Sequence, residues 1–128
     1  VTSAHRTPAK VRTFVESAPE KGVAAFIVGA GAAAHLAGVV ASYTTLPVIG
    51  VPINATSLNG MDALLSTVQM PSGIPVATMA INGAKNAAIF AVEMFSIADD
   101  DLKKKLADYR AEMVAGVEKK AARVAAQL

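Results

Sequence analysis

The chain has no cysteine and no tryptophan, and only two histidines, His5 and His35, among its 128 residues. Without cysteine there is no disulfide framework, no thiolate nucleophile and no cysteine-based zinc site. With two histidines, a multi-histidine metal centre would need both of them plus borrowed carboxylates. Charge is also scarce where it would be expected. Residues 1–98 carry nine of the 22 ionised side chains, and residues 99–128 carry the other 13, seven basic and six acidic. The net charge is only +2, and the charged tail is nearly neutral, so it lacks the basic stripe of a nucleic-acid binder. A body so poor in charge has little with which to coat a solvated surface. This predicts that much of it is covered by other copies of the chain.

Residues 23–41 form a run of 19 in which His35 is the only ionisable group. Its length would permit a membrane-spanning helix. Three interrupting glycines (Gly29, Gly31 and Gly38) and the dominance of alanine over leucine argue against one. The opening VTSAHRTP contains no apolar stretch of the kind a signal peptide requires.

What is present reads as alternating strands and helices. Val1 and Thr2 read as the stub of a strand. Thr7-Pro8 predicts a helix start, with Thr7 as N-cap, and Val11, Phe14, Val15 and Ala18 give that helix one apolar face. Residues 23–28 (VAAFIV), 47–51 (PVIGV) and 75–81 (PVATMAI) predict buried parallel strands. Helices are expected over residues 32–42, after Asn59 as a cap, and over 84–97. Asp99, Asp100 and Asp101 supply the cap and acidic first turn of a last helix, on which Leu102, Leu106, Tyr109, Met113, Val117 and Val124 share a face. The expected fold is therefore α/β, a parallel sheet with helices on both faces. The expected organisation is a body over residues 1–98 and a C-terminal helix over 99–128 that packs on a neighbouring subunit. Three full strands are few for this architecture, which predicts a further strand-helix unit ahead of Val1.

Ligands of such sheets bind beyond the carboxyl ends of the strands. That rule selects the loops 3–8, 29–36, 53–59 and 82–86, and both histidines and Arg6 fall within them. Residues 29–34 (GAGAAA) fit the G-x-G-x-x-A dinucleotide fingerprint. The acidic residue expected about 20 positions later is missing, because 49–52 read IGVP, so a nicotinamide or flavin site is disfavoured. The glycines still allow close backbone approach by an anion or a polar base edge. A lone histidine is most often a surface or capping residue. At a ligand edge beside Arg6, His5 becomes a candidate proton carrier, since imidazole titrates near neutrality. Arg6 offers a fork suited to phosphate. For His35 the local pattern leaves structural and functional readings open. Ser3 and Ser57 have no visible triad partners.

Five blocks in order, SAHRTP (3–8), GAGAAAHLAG (29–38), TTLPVIGVP (44–52), LNGMDALLSTVQMPSGIPVAT (58–78) and KNAA (85–88), resemble the N5-carboxyaminoimidazole ribonucleotide mutase family of purine biosynthesis. The resemblance runs from Val1 to about Val114. It implies a three-layer flavodoxin-like α/β/α domain assembled as a homo-octamer in the cytoplasm. It also implies a reaction that moves a carboxylate from N5 to C4 of the aminoimidazole nucleotide with no metal and no cofactor. By the same resemblance His5 matches the catalytic histidine and Arg6 the phosphate ligand. Gly29, Ala30, Gly31, Ala32, His35 and Leu36 would line the base and the travelling carboxylate, and Ser3 and Ala4 would complete the wall. Two departures stand out. Ala37 replaces the family's usual proline, and the family's first strand with its serine- and aspartate-rich phosphate loop has no counterpart in this sequence. The alternatives are a sister activity that carboxylates aminoimidazole ribonucleotide directly with CO2, and a non-catalytic oligomeric relic. The His35-Leu36 pair favours the mutase over the sister branch.

Overall fold

A computed structural model describes residues 1–127 of the chain. The backbone packs as two units, Val1–Ala88 and Ile89–Leu128.

The first unit is built on a parallel sheet of three strands, in the order β1 (Phe26–Gly31), β2 (Val48–Ile53), β3 (Ala77–Thr78). Helices α1 (Pro8–Ser17), α2 (Leu36–Ser42) and α3 (Met61–Val68) alternate with the strands. This is the flavodoxin-like α/β arrangement expected from the sequence. The main core lies on one face of the sheet. Val11 and Val15 of α1 meet Phe26 and Val28 of β1, Ala37, Val40 and Ala41 of α2, and Val48 of β2, all buried. Phe26 and Val48 are paired across the sheet and Val28 follows two positions on, so the period of two places all three on that face. Ile49 and Val51 point the other way and are also buried, which makes β2 the strand covered on both sides. β1 and β3 are its edges.

Several element boundaries differ from the sequence expectation. Val1 and Thr2 form no strand, and the first strand starts at Phe26 rather than at residue 23. Its end is the larger surprise. Gly29, Ala30 and Gly31 belong to the strand, because their backbones pair with Val51, Pro52 and Ile53. The helix expected from residue 32 begins only at Leu36. The run 23–41 is therefore strand, turn and short helix, and among the described residues no helix is long and apolar enough to cross a membrane. The third strand shrinks to two residues behind Pro75, which has no N–H to give a ladder. Beyond it, Met79 and Asn82 still donate to Gly50 and Pro52 carbonyls.

Caps also differ. Thr7 is the N-cap residue of α1 and Pro8 its first residue, as predicted, but the Thr7 hydroxyl does not cap. The cap of α3 is Gly60 (φ 86°), with Asn59 before it also left-handed (φ 53°), in place of Asn59 itself. A Cβ on Gly60 would lie 2.6 Å from the Ile81 side chain, so the position suits glycine on two counts.

The packing of α3 inverts the usual pattern. It buries the small residues Ala63 and Thr67 and exposes Met61, Leu65 and Val68, each about half accessible. Gly50 explains the inward choice, since the methyl of Thr67 and the side chain of Val76 occupy the space a Cβ there would need.

The second unit comprises the end of α4 (Ala84–Ser96) and α5 (Asp100–Ala125). Asp99 caps α5 by accepting from the Leu102 N–H at 3.0 Å, and Asp100 and Asp101 stand in its first turn, as the sequence predicts. Arg110 of α5 donates to Glu93 of α4 at 2.7 Å. No residue of α5 is buried, and Met113, Val114, Val117 and Val124 are exposed.

Candidate active site

The site forms where the sheet geometry says it should, at the carboxyl end of β1. The strand delivers Gly29, Ala30 and Gly31 to its rim. Gly31 is needed there, because a Cβ would come within 2.8 Å of the Ala55 Cβ and 3.2 Å of the Ile53 carbonyl. The chain then turns sharply at Ala32, an alanine in the left-handed region (φ 55°). The turn brings His35 to the start of α2.

From the other side comes the loop before α1. Here Ser3 and Thr7 form a closed set of hydrogen bonds. The Ser3 N–H donates to the Thr7 hydroxyl at 2.8 Å, that hydroxyl donates back to the Ser3 carbonyl at 3.1 Å, and the Thr7 N–H donates to the same carbonyl at 3.0 Å. The Ser3 hydroxyl accepts from the Arg6 backbone at 3.2 Å and from its Nε at 3.4 Å. The Thr7 side chain thus fixes the loop that carries His5 rather than the helix end.

The two segments meet at the histidines. Nδ1 of His35 lies 2.8 Å from Nε2 of His5, and the rings stand edge to face at 84° with centroids 4.9 Å apart. Around this pair is an open cavity of about 470 Å³. Ser3, Ala4, His5 and Arg6 line one side. Gly29, Ala30, Gly31 and Ala32 line the other, with His35 and Leu36 closing it. All the residues that the family resemblance assigns to the site therefore line one cavity. Thr2 and Ala33 also line the cavity and were missed, Thr2 because it reads as strand and Ala33 because an alanine among alanines carries no signal. The two other loops at the ligand edge do not line it. They are tied to each other instead, the Asn54 N–H donating to Oδ1 of Asn82 at 3.0 Å. Among the described residues no three His, Asp or Glu side chains gather as a metal site.

A cavity with two imidazoles, one guanidinium and a glycine-rich wall can hold an anionic ligand and move a proton beside it. Residues 1–116 match the family model described as AIR carboxylase. The chain belongs to the AIR carboxylase family. Relatives bearing the name N5-carboxyaminoimidazole ribonucleotide mutase include the protein of Pyrococcus horikoshii, 53% identical over 97% of this chain and 70% of its own length. That of Bacillus subtilis is 54% identical over 86% of this chain and 69% of its own length. A plant relative from Vigna aconitifolia, named phosphoribosylaminoimidazole carboxylase, chloroplastic, is 52% identical over 86% of this chain, which matches 20% of that longer protein. Membership thus spans two named activities at nearly equal identity.

Proposed function

We propose that the chain is an N5-carboxyaminoimidazole ribonucleotide mutase, converting that nucleotide to 4-carboxy-5-aminoimidazole ribonucleotide in de novo purine synthesis. The observation that carries the reading is the convergence of His5, Arg6 and the 29–32 wall on one cavity in a chain about half identical to proteins of that name.

The chemistry asks for little. The N5–carboxyl bond breaks, its electron pair stays on nitrogen, and a proton from the His5 imidazolium neutralises it. The released CO2 stays beside C4, whose enamine-like carbon attacks it. The C4 proton then returns to His5. One imidazole thus carries a proton from C4 to N5 with no net change, and confinement of CO2 replaces a bimolecular capture. Arg6 holds the phosphate through its planar fork. Gly29, Ala30, Gly31 and Ala32 let the base and carboxylate approach backbone, with Leu36 as the apolar floor and Ser3 and Ala4 as the wall. No metal or organic cofactor takes part in this scheme.

The same reading makes the protein a cytoplasmic homo-octamer. Two features support assembly with further copies: the half-exposed Met61, Leu65 and Val68 on α3, and the unburied apolar residues of α5.

The plant relative's name keeps direct carboxylation as the second reading. The test is substrate choice. Supplied separately with N5-carboxyaminoimidazole ribonucleotide, and with aminoimidazole ribonucleotide plus bicarbonate, the protein is expected to form the C4-carboxylate rapidly from the first only. Faster product from the second pair would establish the carboxylase. Assembly without consumption of either would mark a non-catalytic relic.

A further inference from the structure

Two neutral imidazoles joined by one hydrogen bond need one donor nitrogen and one acceptor nitrogen. The bond between Nε2 of His5 and Nδ1 of His35 therefore constrains both tautomers at once. Suppose His5 takes up a proton during the reaction. Both its nitrogens are then N–H donors, and the bond survives only if Nδ1 of His35 is the acceptor. His35 must then carry its own proton on Nε2. The assignment that works before and after proton uptake is a single one: His5 donates from Nε2, His35 accepts at Nδ1, and Nδ1 of His5 is the nitrogen offered to the substrate. A second excess proton, placed on His35, would set two donors face to face and break the bond.

We infer that His35 is a positioning residue that fixes the tautomer and ring orientation of His5, so that Nδ1 of His5 exchanges the proton with C4 and N5 and the working form of the pair holds one excess proton. This rests on the mutase reading for its chemistry and on the histidine geometry for its structure. Arg6 is the other charged side chain lining the cavity, and it is a permanent cation. A second cavity lined by His35 is also lined by Ser42, Ser66 and Gln69, which carry no charge.

The inference separates three proteins by pH profile. The unmutated chain should show a bell, losing activity in alkali as the working proton leaves and in acid as the second arrives. His35→Leu, which has no acceptor, should lose about 10- to 100-fold in kcat at all pH values, with KM within about threefold. His35→Asn places an amide oxygen where Nδ1 stood and does not titrate, so it should recover most of the lost kcat and lack the acid limb. Unchanged kcat in His35→Leu, or a His35→Asn no better than His35→Leu, would overturn the inference. Nitrogen-15 spectra of histidine-labelled protein judge it without turnover. Neutral His5 should be the Nε2–H tautomer in the unmutated chain and revert to a solvent-like mixture in His35→Leu. An Nδ1–H tautomer in the unmutated chain would overturn the pairing. An inactive chain with the predicted spectra would instead count against the mutase reading and leave the pairing established.

Discussion

His35 reaches His5 across 30 positions of sequence and places its Nδ1 2.8 Å from His5 Nε2. Neither residue is held by its own segment alone. The reach depends on the Ser3–Thr7 hydrogen bonds on one side and the left-handed Ala32 on the other, so each of these is open to test.

Thr7→Val removes a hydroxyl that both accepts from Ser3 N–H and donates to the Ser3 carbonyl. The loss of two modest hydrogen bonds at an exposed loop should lower stability by about 1 kcal/mol. Activity should fall further than stability, since the loop carries His5 and Arg6. Urea melts and kcat measured together check this. A melt shifted as expected with unchanged kcat would show that the loop holds its shape without Thr7.

The turn itself predicts opposite effects at adjacent residues. Gly31→Val drives side-chain atoms into Ala55 and the Ile53 carbonyl and should cost about 1–3 kcal/mol. Ala32→Gly relieves a left-handed alanine, at the expense of a more flexible unfolded chain, and should leave stability unchanged or raise it by up to about 1 kcal/mol. If Ala32→Gly proved as damaging as Gly31→Val in a urea melt, the left-handed turn would not be the source of strain at this site.

Much of this was legible beforehand, and the reasons it was not all legible are local. The order of strands and helices followed from apolar runs alternating with helical periodicity, and the sheet rule alone pointed to the loops that carry His5 and His35. The strand boundary differs from the expectation because glycines read as turn, whereas Gly29 and Gly31 are held in the ladder by Val51 and Ile53. The histidine bond had no sequence signal, since spacing says nothing about two loops that only the sheet brings together.

The sequence predicts α3 as a helix running through Met61, Leu64, Leu65 and Val68. The inward face is the small one, fixed by the fit of Thr67 over Gly50, and the large residues point out. Leu65, 51% exposed, is therefore the place to break an assembly without touching the core. Leu65→Glu should keep the circular dichroism of the unmutated protein and lower its mass in light scattering to a smaller oligomer or a monomer. An unchanged mass would show that α3 is a free surface.

A core control sets the scale for these changes. Ile49, fully buried on the central strand, should cost about 2–5 kcal/mol when cut to alanine, seen as an earlier urea midpoint with little change in slope. A cost well under that would mean the β2 core is looser than its burial implies.

The most direct test of the central claim is consumption of 4-carboxy-5-aminoimidazole ribonucleotide in the reverse direction, followed by ultraviolet absorbance, for the unmutated protein and for His5→Asn. The account predicts turnover by the former and a loss of at least about 100-fold in kcat in the latter, with the fold intact by circular dichroism. Turnover by His5→Asn at the unmutated rate would contradict it, because no other side chain in the cavity is assigned to carry the proton.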